Sequence, residues 1–201
     1  LTIHLIGCLA AEAILHSTRY NKWNAVQRQV LFDTLQYTDA RQLFVEGSFP
    51  KLTSPLESSI LRKLARPKTR LGELLTRSGP GVVFYSRKVG NFLQILDFPP
   101  RILDGKGKLR PPSEFKEIRF ATHDEATTAL CCLNANLFYW FVTVFSDCRH
   151  VNKREVEAFP VDIAGLVKGT QHHALLTLAD RLMQDIQENS ETRRMNFKHD
   201  S

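Results

Sequence analysis

The feature that most constrains the fold is a change in hydrophobic periodicity at Gly81. Before this residue, apolar side chains recur at helical spacing, whereas residues 81–100 alternate between apolar and polar as strands do. Helical spacing returns from residue 124. The order predicts an α+β chain, a small twisted antiparallel sheet packed with helices. In the first helical stretch, PLESSILRKLA, the predicted apolar face comprises Leu56, Ile60, Leu61 and Leu64.

Residues 81–100 are predicted to form a β-hairpin that turns at Gly90-Asn91. Both residues tolerate positive φ, so a two-residue turn would place Val89 opposite Phe92. The register would make the base of the hairpin apolar and its tip polar. The other predicted pairs are Val83 with Phe98, Tyr85 with Leu96, and Arg87 with Gln94.

Other elements follow from local signals. Residues 101–114 contain glycines and prolines and are predicted to form a loop, and FKEIRF (115–120) is predicted to be a strand. The apolar stretch 124–145 is expected to form two helices with a break near Asn134. Asn152 and Glu155 have the spacing of a capping box. Further helices are expected in AVQRQVLFDTLQY, LGELLTR and HHALLTLADRLMQDIQ.

Positive charge is concentrated in the middle of the chain. The net charge is +6, yet residues 51–120 alone hold 15 Lys and Arg against 6 Asp and Glu, an excess of nine. Such a concentration favours nucleic acid or an acidic protein surface as the partner. A solvated face without a partner is the alternative.

The cysteines indicate a reducing compartment. There are four, Cys8, Cys131, Cys132 and Cys148, without a CxxC pair, and two of them are adjacent in an apolar run. That run is interrupted by Asn134 and Asn136 and is too short to span a bilayer. A cytoplasmic protein with no membrane segment is expected.

No catalytic motif of the common kinds occurs in the sequence, which contains no GxGxxG, P-loop, GxSxG or HExxH. Asp104, Glu114 and Lys116 imitate the spacing of a metal-dependent nuclease, but Asp104 lies in an Asp-Gly turn and ExK is a common accident. The adjacent His172 and His173 point in different directions on a helix. No metal site is therefore predicted.

Two further groups of residues admit two interpretations each. Phe138-Tyr139-Trp140-Phe141 could stack on bases, although aromatic runs in an apolar helix usually form core. Residues 149–154 surround the start of a helix, where basic side chains would make a phosphate clamp. A capped, solvated helix end is the alternative for the second group.

Four strings in fixed order carry a resemblance to a known family. They are FVEGSFPKLTSPLESSILRKL, VVFYSRKVGNFLQILDFPP, LCCLNANLFYWFVTVFSDCRHVNKREVEAFPV and ADRLMQDIQENSETRR. Together, over residues 41–195, they resemble the C-terminal target-recognition region of adenine-specific N6 DNA methylases of restriction-modification systems. The resemblance is to the combined restriction-and-methylation enzymes and the Taq-type methylases.

The resemblance implies a DNA-reading part without the chemistry. The family's Asn/Asp-Pro-Pro-aromatic motif, which holds the target adenine, is missing, and Asp97-Phe98-Pro99-Pro100 has the wrong order. This chain is therefore expected to have no catalytic residues and no cofactor of its own. S-adenosylmethionine would be bound by a catalytic domain upstream in the parent enzyme. Such an upstream domain is expected because LTIHLI looks like a strand without its partner.

The expected partners are duplex DNA and that upstream methylase domain. Arg pairs with guanine and Gln with adenine through two hydrogen bonds, so base contacts are predicted at Arg87, Gln94 and Asn91. The predicted domains are a remnant and linker (1–40), the recognition domain (41–163) and a C-terminal helix with tail (164–201). A protein-docking module and an independent nuclease remain as alternatives. Phosphate contacts are predicted at Lys88, Lys106, Lys108, Arg110 and Lys153.

Overall fold

The structure is a computed structural model that describes residues 16–19, 24–40 and 48–191. It is a mixed α+β arrangement, as the periodicity predicts. The described strands are β1 (His16–Ser17), β2 (Thr38–Asp39), β3 (Leu75–Thr76), β4 (Gly81–Ser86), β5 (Ile95–Leu96), β6 (Ile102–Leu103), β7 (Leu109–Arg110) and β8 (Phe115–Phe120). The LTIHLI segment lies outside the described residues.

Helices surround the strands. They are α1 (Leu31–Thr34), α2 (Pro55–Leu64), α3 (His123–Asn134), α4 (Asn136–Phe145), α5 (Lys153–Glu157), α6 (Ile163–Lys168) and α7 (His172–Asn189). Two short 3₁₀ helices, Ala25–Val30 and Leu71–Leu74, precede α1 and β3. In the described part of the chain no single helix has the length and apolarity to cross a membrane. The helices α3 and α4 would qualify only as a pair, and they meet at a bend of 68°.

The central sheet has four antiparallel strands in the order β3-β8-β4-β5. Its buried face presents Val83, Tyr85, Ile118 and Phe120 toward the helices. Because side chains in a strand alternate between faces, this one face supplies the sheet's share of the core. Burial raises the pKa of Tyr85 to about 12, so this phenol remains neutral at physiological pH.

The helical side of the core is aromatic. Phe159 packs edge-on against Phe138 and Phe141, with ring centroids 5.0 Å and 5.3 Å apart. Both partners on α4 are fully buried, so two members of the aromatic run are core. Helix α7 adds Ala179 and Met183 to the same core cluster, and this joins the C-terminal helix to the sheet-bearing part of the chain.

Several sequence predictions are confirmed. Helix α2 begins after Ser54, whose hydroxyl accepts the N–H of Glu57, and the helical stretch 124–145 breaks after Asn134. The capping box of Asn152 and Glu155 is present at the start of α5. FKEIRF is strand β8, and HHALLTLADRLMQDIQ lies within α7.

The predicted hairpin register is wrong by one residue. Phe84 pairs with Leu96 and Tyr85 with Ile95, whereas the two-residue turn required Tyr85 opposite Leu96. Among the described glycines, Gly107 is the one with a positive φ. Gly90 therefore does not adopt the backbone conformation that the two-residue turn requires. The backbone N–H of Val89 donates instead to Arg149 O at 3.0 Å. A distant segment has therefore taken the hydrogen bonds that the turn needed.

Four smaller predictions also need correction. Residues 101–114 are more than a loop, because β6 and β7 pair as a short hairpin with Leu103 opposite Leu109. Leu56 is 69% exposed, so it lies off the buried face of α2. The expected helix LGELLTR is a single 3₁₀ turn followed by β3, and AVQRQVLFDTLQY begins as a 3₁₀ helix.

Candidate functional site

One end of the central sheet gathers basic residues from two distant parts of the chain. After β4 the backbone continues alongside residues 149–151, with Lys88 directly opposite His150. Val151 N donates to Arg87 O at 2.8 Å, and Val89 N donates to Arg149 O at 3.0 Å. We call the surface formed by residues 87–94 and 147–151 the basic tip.

The loop of the basic tip is held on several sides. Ser86 N donates to Gln94 O at 2.9 Å, which closes the loop at its base. The hydroxyl of Tyr139 donates to Gly90 O at 3.0 Å, and Leu93 is buried in the core. The loop is thus preorganised, which lowers the entropic cost of binding.

Two side chains at the tip lie beside carboxylates. Lys88 Nζ lies 3.7 Å from a Glu114 carboxylate oxygen, and His150 Nδ1 lies 3.2 Å from Asp147 Oδ2. Within the described residues, Arg87 and Arg149 have no ion-pair partner, and both are exposed. Their guanidinium groups are the available cations of the basic tip.

Asp147 organises the second segment of the tip. Its Oδ1 accepts the backbone N–H groups of Arg149 and His150, both at 2.8 Å. Partial burial acts to raise the pKa of Asp147, but these N–H donors and the His150 ring outweigh it and lower the pKa to about 2. The carboxylate therefore stays ionised and keeps the turn closed at physiological pH.

Lys51 supports the same turn from below. Its side chain is buried, and its ammonium group donates to Ser146 O. Burial lowers the pKa of Lys51, against the opposing influence of nearby Cys148, Asp147 and Glu155. Its hydrogen bond to a backbone carbonyl makes Lys51 a structural support for the turn at Cys148, whose φ is 58°.

The predicted base-contacting residues lie together, although not in the predicted arrangement. Arg87, Asn91 and Gln94 are all exposed on the loop of the basic tip. Gln94, however, is paired through its backbone with Ser86, and this replaces the predicted pairing of Arg87 with Gln94. The three side chains therefore project from one loop.

The predicted phosphate-contacting residues divide into three places. Lys88 belongs to the basic tip. Lys106, Lys108 and Arg110 are exposed on the β6–β7 hairpin, where Asp104 Oδ1 accepts the backbone N–H groups of Lys106 and Lys108 at 2.9 Å and 2.8 Å. Lys153 lies on α5 and forms an ion pair of 2.9 Å with Glu157.

The phosphate clamp considered at residues 149–154 is closed by the protein's own carboxylate. Glu155 is buried and its Oε2 accepts the N–H of Asn152 at 2.7 Å. Its other oxygen accepts a hydrogen bond from the guanidinium of Arg154 at 3.1 Å. The helix start is therefore capped, and of this group Arg149 remains available.

Two members of the nuclease-like trio, Asp104 and Glu114, have other partners. Asp104 closes the β6–β7 turn and Glu114 pairs with Lys88, as described above. Among the described residues no group of three or more His, Cys, Asp or Glu side chains is arranged to hold a metal ion. His172, the first residue of α7, has its Nε2 4.0 Å from Oδ2 of Asp124 on α3.

The cysteines of α3 have raised pKa values. Burial raises the pKa of Cys132 to about 11, with a further contribution from Cys131. The Cys131 thiol, whose pKa is also raised by burial, donates to Leu175 O at 3.2 Å and so contacts α7. Both are free thiols packed against the core.

Comparison of the chain with protein-family profiles, with curated protein sequences and with solved structures gives no match. The protein is therefore described by its own features, an α+β fold that carries the basic tip. Sequence reasoning undervalued two residues of that tip, Arg149 and Phe92. Arg149 joins the tip through pairing between distant segments, and no local sequence signal reports such pairing.

Proposed function

We propose that this chain binds duplex DNA in a sequence-specific manner. It would act as the target-recognition part of a site-specific adenine-N6 DNA methyltransferase or restriction-modification enzyme, in the cytoplasm. The observation that carries the proposal is the pair of unneutralised guanidinium groups, Arg87 and Arg149, on a preorganised loop. Arginine pairs with guanine through two hydrogen bonds and also binds phosphates.

Under this proposal, base contacts and phosphate contacts are made by two different groups of exposed residues. The exposed side chains of Arg87, Asn91 and Gln94 would contact base edges in the major groove. Lys106, Lys108 and Arg110 on the β6–β7 hairpin would contact phosphates. Methyl transfer would belong to an upstream domain that binds S-adenosylmethionine, and this chain would supply position and specificity.

The proposal is tested by fluorescence anisotropy of the chain with a pool of random duplex DNA across a salt series, with and without Mg²⁺. Binding is expected to weaken steeply as salt rises, because each neutralised phosphate contributes a slope of about −0.9. The DNA should remain intact. Arg181→Ala, at an exposed arginine of α7, is the matched control and should leave the slope unchanged. No binding at low salt would overturn the proposal and favour an acidic protein partner.

Two substitutions separate base reading from phosphate contact. Arg87→Ala is expected to relax discrimination at one base pair, at a cost of about 1 to 3 kcal/mol. Lys108→Ala should weaken binding to all sequences alike and reduce the salt slope by about 1. The readout is selection from a random pool followed by titration of selected and scrambled duplexes. Equal losses on both duplexes for Arg87→Ala would remove it from the base-reading residues.

A further inference from the structure

The most exposed apolar residue of the basic tip is Phe92. Its side chain is 67% exposed, whereas its neighbour Leu93 is 6% exposed and belongs to the core. Leu93 anchors the loop in the core, while Phe92 lies in the bend that precedes it and faces solvent. Covering this ring with a flat apolar surface of a partner would be favourable.

The backbone around Phe92 is restrained. Tyr139 donates to Gly90 O at 3.0 Å, and Ser86 N donates to Gln94 O at 2.9 Å, one bond on each side of the ring. The main chain that carries Phe92 is therefore fixed on both sides by the fold.

The surroundings of Phe92 indicate the chemistry of its occupant. Arg87 and Arg149, whose guanidinium groups have no ion-pair partner among the described residues, belong to the same tip, so the tip favours an anionic occupant. It must also offer flat apolar surface to the ring, and stacked bases behind a phosphate backbone offer both. By contrast, Leu109 on the β6–β7 hairpin is 63% exposed but lies outside the tip and has no aromatic face.

We propose that Phe92 is a wedge that inserts between two base pairs of the duplex held by the basic tip. The inference rests on the proposed function and extends it from groove contacts to deformation of the DNA. Apolar side chains inserted at a base step unstack it and bend the duplex, at a cost offset by the additional contacts. The opened step would adjoin the base pairs contacted by Arg87 and Gln94.

The test is a scan with abasic sites, in which one base at a time is removed from a bound duplex. A duplex of about 30 base pairs is taken from the fraction of the random pool that the chain binds, and an abasic site is placed at each position in turn. The wild-type chain should bind about tenfold more tightly when the abasic site lies at the base step into which Phe92 inserts, because a missing base removes the unstacking cost. Phe92→Ala should lose this preference, and Leu109→Ala, the matched exposed apolar residue, should retain it.

The outcomes separate this inference from the proposed function. Binding to the undamaged duplex, with no preference for an abasic site at any position, would overturn the wedge and leave the proposed DNA recognition standing. A preference that persists in Phe92→Ala would also overturn it. Failure of the wild-type chain to bind any duplex would overturn both. Phe92→Trp, which keeps a flat apolar ring, should restore at least half of the preference if stacking is the cause.

Discussion

At the scale of single residues, Asp147 shows how a tip residue can act without touching a partner. Its carboxylate accepts two backbone N–H groups and lies beside the His150 ring. The backbone of Arg149, one residue of that turn, also accepts a hydrogen bond from Val89. The position of the Arg149 guanidinium therefore depends on an acidic side chain that would itself repel DNA.

We expect Asp147→Asn to lower stability in a pH-dependent way. The folded pKa is about 2 against an ordinary value of 3.8, so the carboxylate's contribution is present above pH 3.8 and is lost as the pH falls through 2. The side chain is half exposed, and solvent screening reduces the contribution to about 1 kcal/mol. Urea unfolding of both proteins between pH 6 and pH 2 checks this. A stability difference that does not shrink toward pH 2 would contradict it.

At the scale of elements, local signals predicted the helices and failed where strands compete. Helix α7 and the capping box of α5 depend on residues a few positions apart, so periodicity and caps found them. The register of β4 with β5 depends on which segment takes the N–H of Val89. That choice is made by residues 149–151, far along the chain, and a two-residue turn could not be distinguished from it in the sequence.

Close packing between β4 and α3 makes Gly81 essential to this junction. A Cβ built at Gly81 would lie 2.2 Å from the backbone oxygen of Thr122 and 2.8 Å from Ala126 Cβ. Gly81→Ala is therefore expected to destabilise the protein by about 2 to 4 kcal/mol, because backbone must move to relieve the clash. Urea unfolding measures the loss.

Gly105→Ala is the matched control for this prediction. A Cβ at Gly105 has no heavy atom within 4 Å, so its effect should be within about 0.5 kcal/mol of zero. Equal stability of the two variants would mean that β4 does not approach α3 as closely as described. Loss of stability in both would point to glycine flexibility in place of the predicted clash.

At the scale of the whole molecule, the basic tip and α7 are connected through one core. Helix α3 contacts β5 through Asn134, whose amide donates to Ile95 O at 3.2 Å, and contacts α7 through Cys131. Ala179 and Met183 belong to the same buried cluster as the sheet. The described core should therefore unfold as one cooperative unit, whatever domain boundaries the sequence suggests.

Ala179→Asp tests this coupling. Burying an unpaired carboxylate at a position that is 1% exposed should cost about 3 to 5 kcal/mol. With Trp23 changed to Phe, Trp140 is the remaining tryptophan, and its fluorescence reports on α4. Fluorescence and far-UV circular dichroism midpoints should fall together. Leu178→Asp places the same charge at a 57% exposed position and should cost less than about 1 kcal/mol. Separated transitions would contradict a single unit.

The candidate site could be predicted from the sequence only in part. The exposed residues Arg87, Asn91 and Gln94 share a loop, as a polar strand end suggests. Charge counting could not show that Lys88 and Lys153 are paired with Glu114 and Glu157. The pairing of Lys88 with Glu114, like the approach of residues 149–151 to residues 87–89, arises from tertiary packing. The Lys153–Glu157 pair is local, because the two residues lie four positions apart on α5. DNA contact by any of these residues remains a prediction.

The bridge between residues 87–89 and 149–151 has a consequence for how the proposed recognition surface could change by recombination. Each segment satisfies the other's backbone groups, through Val151 N to Arg87 O and Val89 N to Arg149 O. A transplanted loop that differs in length or backbone conformation would leave these groups of the other segment without their partners. Under the proposed function, new specificities should therefore be inherited as a linked pair of segments, and single-loop chimaeras should fail to fold more often than paired ones.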